Sequence, residues 1–235
     1  FSAKSDSASL TARDIRLAPS GVRFCALEEG ELVRVKTNLP GQFSVYNALA
    51  AISCARLLGV SLADAAAALE TAHGAKGRVE PVLTDGDYSI FIDYAVTPDA
   101  IENVLTTLRG IAPKRLVMLF GAGGDRDRKK RPIMGKLSAD IADFVIVTSD
   151  NPRTEDPMSI IEEILPGVRA GKAPYKVICD RPEAIRWAID HHEPGDVILL
   201  CGKGHEDYQI IGHEKIHMDE REIVADYLAE RAKRT

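Results

Sequence analysis

The run Asp150-Asn151-Pro152-Arg153 combines residue types that could recognise a charged ligand. The proline fixes its own φ and restricts the residue before it, so the flanking side chains have limited freedom. Arg153 presents a planar fork of N–H donors that matches a carboxylate. The run is also typical of an Asx turn followed by a surface arginine, and by itself it does not separate these two interpretations.

Two glycine-containing loops extend this chemistry. Gly121–Gly124 would let the backbone approach a ligand, and its N–H groups could form a nest for an anion. It matches neither the GxGxxG fingerprint nor a phosphate-binding loop, since GxxxxGK[ST] occurs nowhere in the sequence, and a tight strand-to-helix turn is the alternative. The second loop, GKGHE at 202–206, ends at Glu206, which could bind an ammonium group or cap a neighbouring segment.

These loops follow short apolar runs that predict strands. The runs cover residues 88–92, 116–120, 144–148, 176–179 and 197–201. Helical stretches follow them at about 98–109, 132–141, 157–169, 181–190 and 219–232. Five alternations of strand and helix predict an α/β fold with a Rossmann-like, doubly wound and mostly parallel sheet. Ligands bind such sheets beyond the carboxyl ends of the strands, where these loops are expected to meet.

The first third of the chain has a different pattern. Residues 10–37 are predicted to form β structure, and two helical stretches follow up to about residue 72. This part resembles the end of a domain rather than a whole one. Gly74–Pro81 is the predicted boundary, so we expect one segment over 1–80 and a Rossmann-like domain over 81–235.

The composition argues against several classes of protein. The chain of 235 residues has 30 Lys and Arg against 35 Asp and Glu, and this net charge of -5 does not suit a general nucleic-acid binder. Apolar runs fall short of the ~20 residues of a membrane span, and the first residues lack a signal-peptide layout. Four widely spaced cysteines are typical of a reducing compartment. We expect a cytoplasmic protein without a nucleic-acid or membrane partner. Because the first residue is not Met, we also expect a processed chain or a piece of a longer one.

Four motifs, in this order, resemble the signatures of the Mur ligase family. They are DYAVTPD at 93–99, GGDRD at 123–127, DNPR at 150–153 and GKGHEDY at 202–208. The resemblance runs from about residue 10 to the end of the chain, and the last two motifs are the specific ones. It implies ATP-dependent amide ligases of peptidoglycan synthesis with three domains: one for the UDP end, a central ATPase domain, and a C-terminal Rossmann-like domain for the amino acid. Residues 1–80 would then be the tail of the central domain.

The DNPR motif resembles the signature of family members that add meso-2,6-diaminopimelate to UDP-N-acetylmuramoyl-L-alanyl-D-glutamate. In these enzymes ATP phosphorylates the γ-carboxylate of the D-glutamate, and the amine of diaminopimelate attacks the acyl phosphate. The resemblance therefore implies ATP and Mg²⁺ as cofactors of the complete enzyme and these two substrates as its partners. We expect a monomer.

The family's contacts transfer to this sequence residue by residue. Those to diaminopimelate fall on Arg126, Asp150, Asn151, Pro152, Arg153, Gly202 and Glu206. Those to the nucleotide fall on Asn47, Arg78 and Asp93. Diaminopimelate differs from lysine by a second carboxylate, which Arg153 is suited to read, while Glu206 would pair with the distal ammonium. An unpaired site group can discriminate between ligands by roughly 10⁴-fold. No metal ligand and no catalytic residue is assigned in this chain.

The sequence departs from the family pattern in two ways. Val96 stands where the family motif DYAHTPD has its histidine, and no phosphate-binding loop is present. We therefore expect that this chain alone neither hydrolyses ATP nor forms the amide. Two other interpretations stay open: another ligase of the superfamily, such as a lysine-adding or folylpolyglutamate-type enzyme, and a non-catalytic Rossmann-like module that binds an amino acid.

Overall fold

The computed structural model describes residues 1–5, 7–82 and 84–233. The chain divides into two compact units, Phe1–Gly74 and Ala75–Thr235, and each is described by itself. The division falls at the start of the predicted boundary stretch. It does not show which parts of a larger enzyme the units represent, so the assignment of 1–80 and 81–235 to two family domains stays a prediction.

The first unit is a three-stranded antiparallel sheet covered by two helices. Its elements are β1 (Leu10–Ala18), β2 (Gly21–Glu28), β3 (Glu31–Thr37), α1 (Gln42–Leu57) and α2 (Leu62–Glu70), with strand order β1-β2-β3. Alternate residues of β2, including Val22 and Phe24, point to one buried face. Leu49 and Ile52 of α1 belong to the same apolar core, so the sheet has one core face and one solvent face.

The second unit has a six-stranded sheet with helices and a separate hairpin. The strands are β4 (Glu80–Val82), β5 (Ser89–Asp93), β6 (Leu116–Phe120), β7 (Phe144–Val147), β8 (Tyr175–Val177) and β9 (Val197–Cys201). The helices are α3 (Pro98–Arg109), α4 (Lys130–Ile141), α5 (Pro157–Ala170), α6 (Arg181–Asp190) and α7 (Glu220–Ala232). The hairpin pairs β10 (Tyr208–Ile211) with β11 (Glu214–His217).

The order of the large sheet is β4-β5-β9-β6-β7-β8, with β4 antiparallel and the others parallel. This confirms the predicted doubly wound, mostly parallel α/β fold. Every residue of β6 and β9 is buried, as expected for central parallel strands. Because β9 lies between β5 and β6, the loops after β5, β6, β7 and β9 open at one edge of the sheet.

Local signals place the helices that frame this edge. At α3 the Thr97 hydroxyl accepts a hydrogen bond from the Ala100 N–H, and Pro98 takes the first helical position. Asp156 and Asp180 cap α5 and α6 in the same way, each followed within two residues by proline. Within the described ranges, none of the helices has the length and apolar character needed to cross a membrane.

Candidate functional site

The bases of the strand-end loops are joined by the fully buried Arg181 at the start of α6. Its Nη1 donates to the Ser149 carbonyl at 3.3 Å and its Nη2 to the Cys201 carbonyl at 2.9 Å. Its Nε pairs with Glu220 of α7 at 2.8 Å. One buried guanidinium therefore ties together the ends of β7 and β9. The DNPR motif begins one residue after Ser149, and the GKGHE motif begins one residue after Cys201.

A compact polar cluster joins these two motifs. The Nδ2 of Asn151 donates to Oε2 of Glu206 at 2.9 Å. The Nζ of Lys203 lies 2.7 Å from the same Glu206 oxygen and 2.8 Å from Oδ1 of Asn151. The other carboxylate oxygen of Glu206 accepts from the Tyr208 hydroxyl at 3.3 Å. The structure thus brings together Asn151 and Glu206, both predicted from sequence.

Glu206 is held in its ionised form by its hydrogen-bond donors. Burial alone would raise the pKa of its carboxyl group. The hydrogen bonds from Lys203 and Asn151, together with the Lys203 charge, outweigh burial and leave that pKa below its usual range. A carboxylate that stays charged in a half-buried position is suited to bind an ammonium group.

Backbone hydrogen bonds to the β10–β11 hairpin hold Arg153 in place, so its position does not depend on its side chain. Its backbone N–H donates to the Ile210 carbonyl at 3.0 Å, and its carbonyl accepts from the Gly212 N–H at 2.7 Å. Its φ is 52°, an uncommon value for a residue with a Cβ. The Nη1 donates to the Gly124 carbonyl at 2.8 Å, and among the described residues its other guanidinium nitrogens have no hydrogen-bond partner. They are available for a carboxylate.

The glycine loop after β6 packs directly on the DNPR motif. Gly124 donates its N–H to the Asn151 carbonyl at 2.9 Å, and a Cβ at Gly124 would collide with the Pro152 carbonyl. A Cβ at Gly123 would lie 3.0 Å from Nη1 of Arg153 and 3.7 Å from Cγ of Arg126. The loop therefore needs glycine at position 124, because the backbone of the DNPR motif approaches it.

Arg126 lies beside this loop but outside the hydrogen-bonded cluster. Its side chain is exposed and donates to the carbonyl of Asp125 at 3.2 Å. It shares with Arg153 the space next to Gly123. The side chains of the two arginines therefore pass next to the same glycine.

Asp150 and Gly202 meet at the base of the cluster. Oδ1 of Asp150 accepts the Asn151 N–H at 2.7 Å, and its buried Oδ2 has no hydrogen-bond partner among the described residues. Gly202 has a φ of +117°, and a Cβ there would lie 2.6 Å from that Oδ2. Asp150 therefore shapes the turn, while Gly202 lets the chain pass next to it.

The residues predicted for the nucleotide lie in both units. Asp93 ends β5 in the second unit, and its Oδ2 accepts the Val79 N–H at 2.8 Å. Burial raises the pKa of Asp93, partly opposed by that hydrogen bond and by the Arg78 charge. Arg78 is exposed, and its guanidinium carbon lies 5.6 Å from the centre of the Tyr94 ring.

Asn47 belongs to the first unit, where it lies exposed on α1. Among the described residues its side chain has no hydrogen-bond partner. Asp93 is thus engaged in local structure, whereas Arg78 and Asn47 point polar groups to solvent. In the described part of the chain, no group of three or more His, Cys, Asp or Glu side chains is arranged to hold a metal ion.

Sequence reasoning missed the groups that support the site. Lys203 was visible as part of the GKGHE motif, but nothing in the pattern showed that its side chain would be buried. Arg131 of α4 is also fully buried and pairs with Glu155 and Glu163. It looked like one member of a solvated basic run, and nothing in the pattern showed that its side chain would be buried.

The chain belongs to the Mur ligase family. Residues 77–204 match the family domain described as "Mur ligase, glutamate ligase domain". Residues 1–55 match the domain described as "Mur ligase middle domain". These two matches follow the order of the two units and agree with the resemblance in the motifs.

The chain is similar along nearly all of its length to curated ligases. It is 49% identical over 228 residues to the UDP-N-acetylmuramoyl-L-alanyl-D-glutamate--2,6-diaminopimelate ligase of Caldanaerobacter subterraneus, covering 97% of this chain and 47% of that protein. It is 47% identical over 236 residues to the enzyme of the same name from Trichormus variabilis, covering 99% of this chain and 47% of that protein. The chain spans about half the length of the curated relatives it matches.

A solved structure of an enzyme with this name also resembles the fold. It superposes with a TM-score of 0.79 at 34% identity, over 97% of this chain and 47% of the other. A Thermotoga maritima UDP-N-acetylmuramate-alanine ligase superposes with a TM-score of 0.67 at 22% identity, which shows a shared fold alone.

Proposed function

We propose that this chain is the C-terminal portion of an ATP-dependent ligase that adds meso-2,6-diaminopimelate to UDP-N-acetylmuramoyl-L-alanyl-D-glutamate. Its relatives carry that name, and its DNPR motif lies in the polar cluster of the second unit. The observation that carries the proposal is the meeting of Asn151, Arg153 and Glu206 at one sheet edge. In this proposal the second unit binds the diaminopimelate, and the first is the end of the ATP-binding domain.

The free polar groups of the cluster match one end of a zwitterionic amino acid. Oε1 of Glu206 would accept the distal ammonium group, and the free guanidinium nitrogens of Arg153 would donate to the distal carboxylate. Arg126 would reach the same carboxylate from the other side of Gly123. Asp150, Pro152 and Gly202 would act through the backbone turn that holds these groups in place.

In the complete enzyme, ATP with Mg²⁺ would supply the phosphoryl group that activates the γ-carboxylate of the D-glutamate. We keep Asn47 of the first unit and Arg78 of the second as the proposed nucleotide contacts, and each has an exposed side chain in its own unit. Asp93 would hold the Arg78 segment through Val79 and so support a nucleotide on its ribose side. In the complete enzyme we place this chemistry in the cytoplasm, in a monomer.

The first experiment compares ligands by calorimetry. The wild-type chain is titrated with meso-diaminopimelate, L-lysine and L-glutamate. We expect diaminopimelate to bind and lysine to bind at least 100-fold more weakly, because lysine leaves the desolvated arginine donors unpaired. Equal affinities for diaminopimelate and lysine would point to a lysine-adding or unspecific ligase. No binding of any of the three would contradict the proposal.

A further inference from the structure

Lys203 is a buried lysine at the centre of the polar cluster that joins the DNPR and GKGHE motifs. Its side chain is completely buried, which is rare for this residue type. Its Nζ makes two hydrogen bonds, to Oδ1 of Asn151 at 2.8 Å and to Oε2 of Glu206 at 2.7 Å. We propose that Lys203 is a positioning residue, which fixes the amide of Asn151 and keeps Glu206 ionised for an amino-acid ligand. The identity of the ligand rests on the proposed function, whereas the positioning does not.

The first part of the argument concerns the orientation of the Asn151 amide. Its Oδ1 accepts hydrogen bonds from Nζ of Lys203 and from the Ile210 N–H at 2.9 Å. Its Nδ2 donates to Glu206 at 2.9 Å. A flipped amide would set its NH₂ group against two donors and its oxygen against a carboxylate, so one orientation is required. In that orientation the second N–H of Nδ2 is left for a ligand.

The second part concerns how the two oxygens of Glu206 are used. Oε2 accepts from both Lys203 and Asn151, whereas Oε1 has the Tyr208 hydroxyl at 3.3 Å as its partner. The lysine thus engages one oxygen and leaves the other able to accept a stronger donor. Without the lysine, the hydrogen bonds from Asn151 and Tyr208 would still oppose the burial of Glu206, but the balance would shift towards the protonated carboxyl group, which cannot pair with an ammonium.

Few charged groups face Glu206 from the elements packed against it. Its own loop contributes Lys203, and β10 contributes the Tyr208 hydroxyl. The segment after β7 contributes the neutral amide of Asn151, and farther away Arg153 acts electrostatically on Tyr208. In the part of the chain that the structure describes, Lys203 is the cation hydrogen-bonded to this carboxylate, so its removal should dominate any change in ionisation.

The test is a ¹³C NMR titration of the Glu206 carboxyl group in ligand-free protein. The wild type is compared with Lys203→Met and with the control Lys172→Met, which changes an exposed lysine before β8. We expect the Lys203→Met midpoint to rise by about 1 pH unit or more, the usual effect of losing a close opposite charge. The control should keep the wild-type midpoint. A Lys203→Met midpoint equal to the wild-type one would overturn the proposal.

A second measurement separates this inference from the proposed function. For Lys203→Met we expect diaminopimelate affinity to fall about 10- to 100-fold, the effect of one charge-assisted hydrogen bond. We also expect the pH below which binding is lost to be higher than in the wild type. Wild-type protein that binds no diaminopimelate would refute the proposed function, while the Glu206 titration would still decide the role of Lys203. If affinity falls but the pH below which binding is lost does not change, the result would count against Lys203 as a positioning residue.

The Glu206→Gln variant provides an alternative test if Lys203→Met does not fold. It removes the charge that pairs with Lys203 while keeping the shape of the side chain. We expect shifts of the ¹⁵N resonances of the Lys203 ammonium and the Asn151 side-chain amide relative to wild type. If neither resonance moves, the two groups are not coupled to Glu206 and the proposal fails.

Discussion

At the scale of single residues, the ligand-binding role proposed for Arg153 can be tested separately from its contribution to folding. Two backbone hydrogen bonds to the hairpin hold its position, so its side chain contributes to the fold mainly through the bond to Gly124. We expect Arg153→Ala to lose most of the preference for diaminopimelate over lysine. Its unfolding free energy should fall by about 1 kcal/mol, the net value of one hydrogen bond.

Calorimetry with both ligands and urea unfolding check this prediction. The matched control is Arg169→Ala, which changes an exposed arginine in the last turn of α5. The control should bind both ligands like the wild type. If Arg153→Ala loses stability and diaminopimelate binding to the same extent, the arginine is structural and the assignment of its role is wrong.

The residue types of the site could be predicted from sequence, but their support could not. The DNPR and GKGHE motifs indicated Asn151, Arg153 and Glu206, and the structure places Asn151 and Glu206 in direct contact. A lysine between two glycines after a strand is typical of a solvated loop. Its burial depends on an asparagine 52 positions earlier in the chain, and local sequence carries no signal for such a contact.

At the scale of elements, α4 and α5 are joined through Arg131. Its guanidinium donates to both carboxylate oxygens of Glu155, at 2.8 and 2.9 Å, and to Glu163 at 2.7 Å. Glu155 also accepts the Asp125 N–H at 2.6 Å, so the same carboxylate supports the glycine loop. The hydrogen bonds from Arg131 lower the pKa of Glu155 to about 2.

This pairing predicts a loss of stability in acid. A free glutamate has a pKa of about 4.3. The contribution of Glu155 is therefore fully present above roughly pH 5 and is lost as the pH falls towards the folded-state pKa of about 2. Urea unfolding between pH 2 and 6 should show a weaker pH dependence for Glu155→Gln than for wild type. Glu102→Gln, on the exposed side of α3, should keep the wild-type dependence, and equal slopes for all three proteins would contradict the pairing.

The strands and helices of the large sheet follow the predicted pattern closely, because each apolar run is short and α3, α5, α6 and α7 each begin with a side-chain cap. The α6 helix, Arg181–Asp190, has the predicted limits, with Asp180 as its cap. The hairpin formed by β10 and β11 was not predicted. All four residues of β11 are exposed. Because the strand has no buried face, its sequence does not need the alternation of apolar and polar residues by which a strand is predicted. Yet this hairpin fixes the backbone of Arg153, so part of the site depends on an element with little local signal.

At the scale of the whole molecule, the negative net charge contrasts with the two arginines predicted to bind the ligand. The net charge of -5 would repel an anionic substrate, but Arg126 and Arg153 lie together beside Gly123. If the proposed function holds, we expect recognition to depend on short-range pairing at the sheet edge. We attribute specificity to this edge and expect catalysis to need groups that the present sequence does not contain.

The sequence has no GxxxxGK[ST] loop, whose backbone and lysine hold the phosphates of ATP in enzymes that use it. We therefore expect the chain to bind diaminopimelate without forming the amide or releasing phosphate from ATP. The assay mixes the chain with ATP, Mg²⁺, UDP-N-acetylmuramoyl-L-alanyl-D-glutamate and diaminopimelate, and follows phosphate and tripeptide product. A ligase that includes the phosphate-binding loop serves as the positive control, and calorimetry in the same buffer shows that the site is intact. Product formed by this chain would mean that its own residues activate the carboxylate. That result would contradict the prediction that the chain binds diaminopimelate but does not transfer phosphate from ATP.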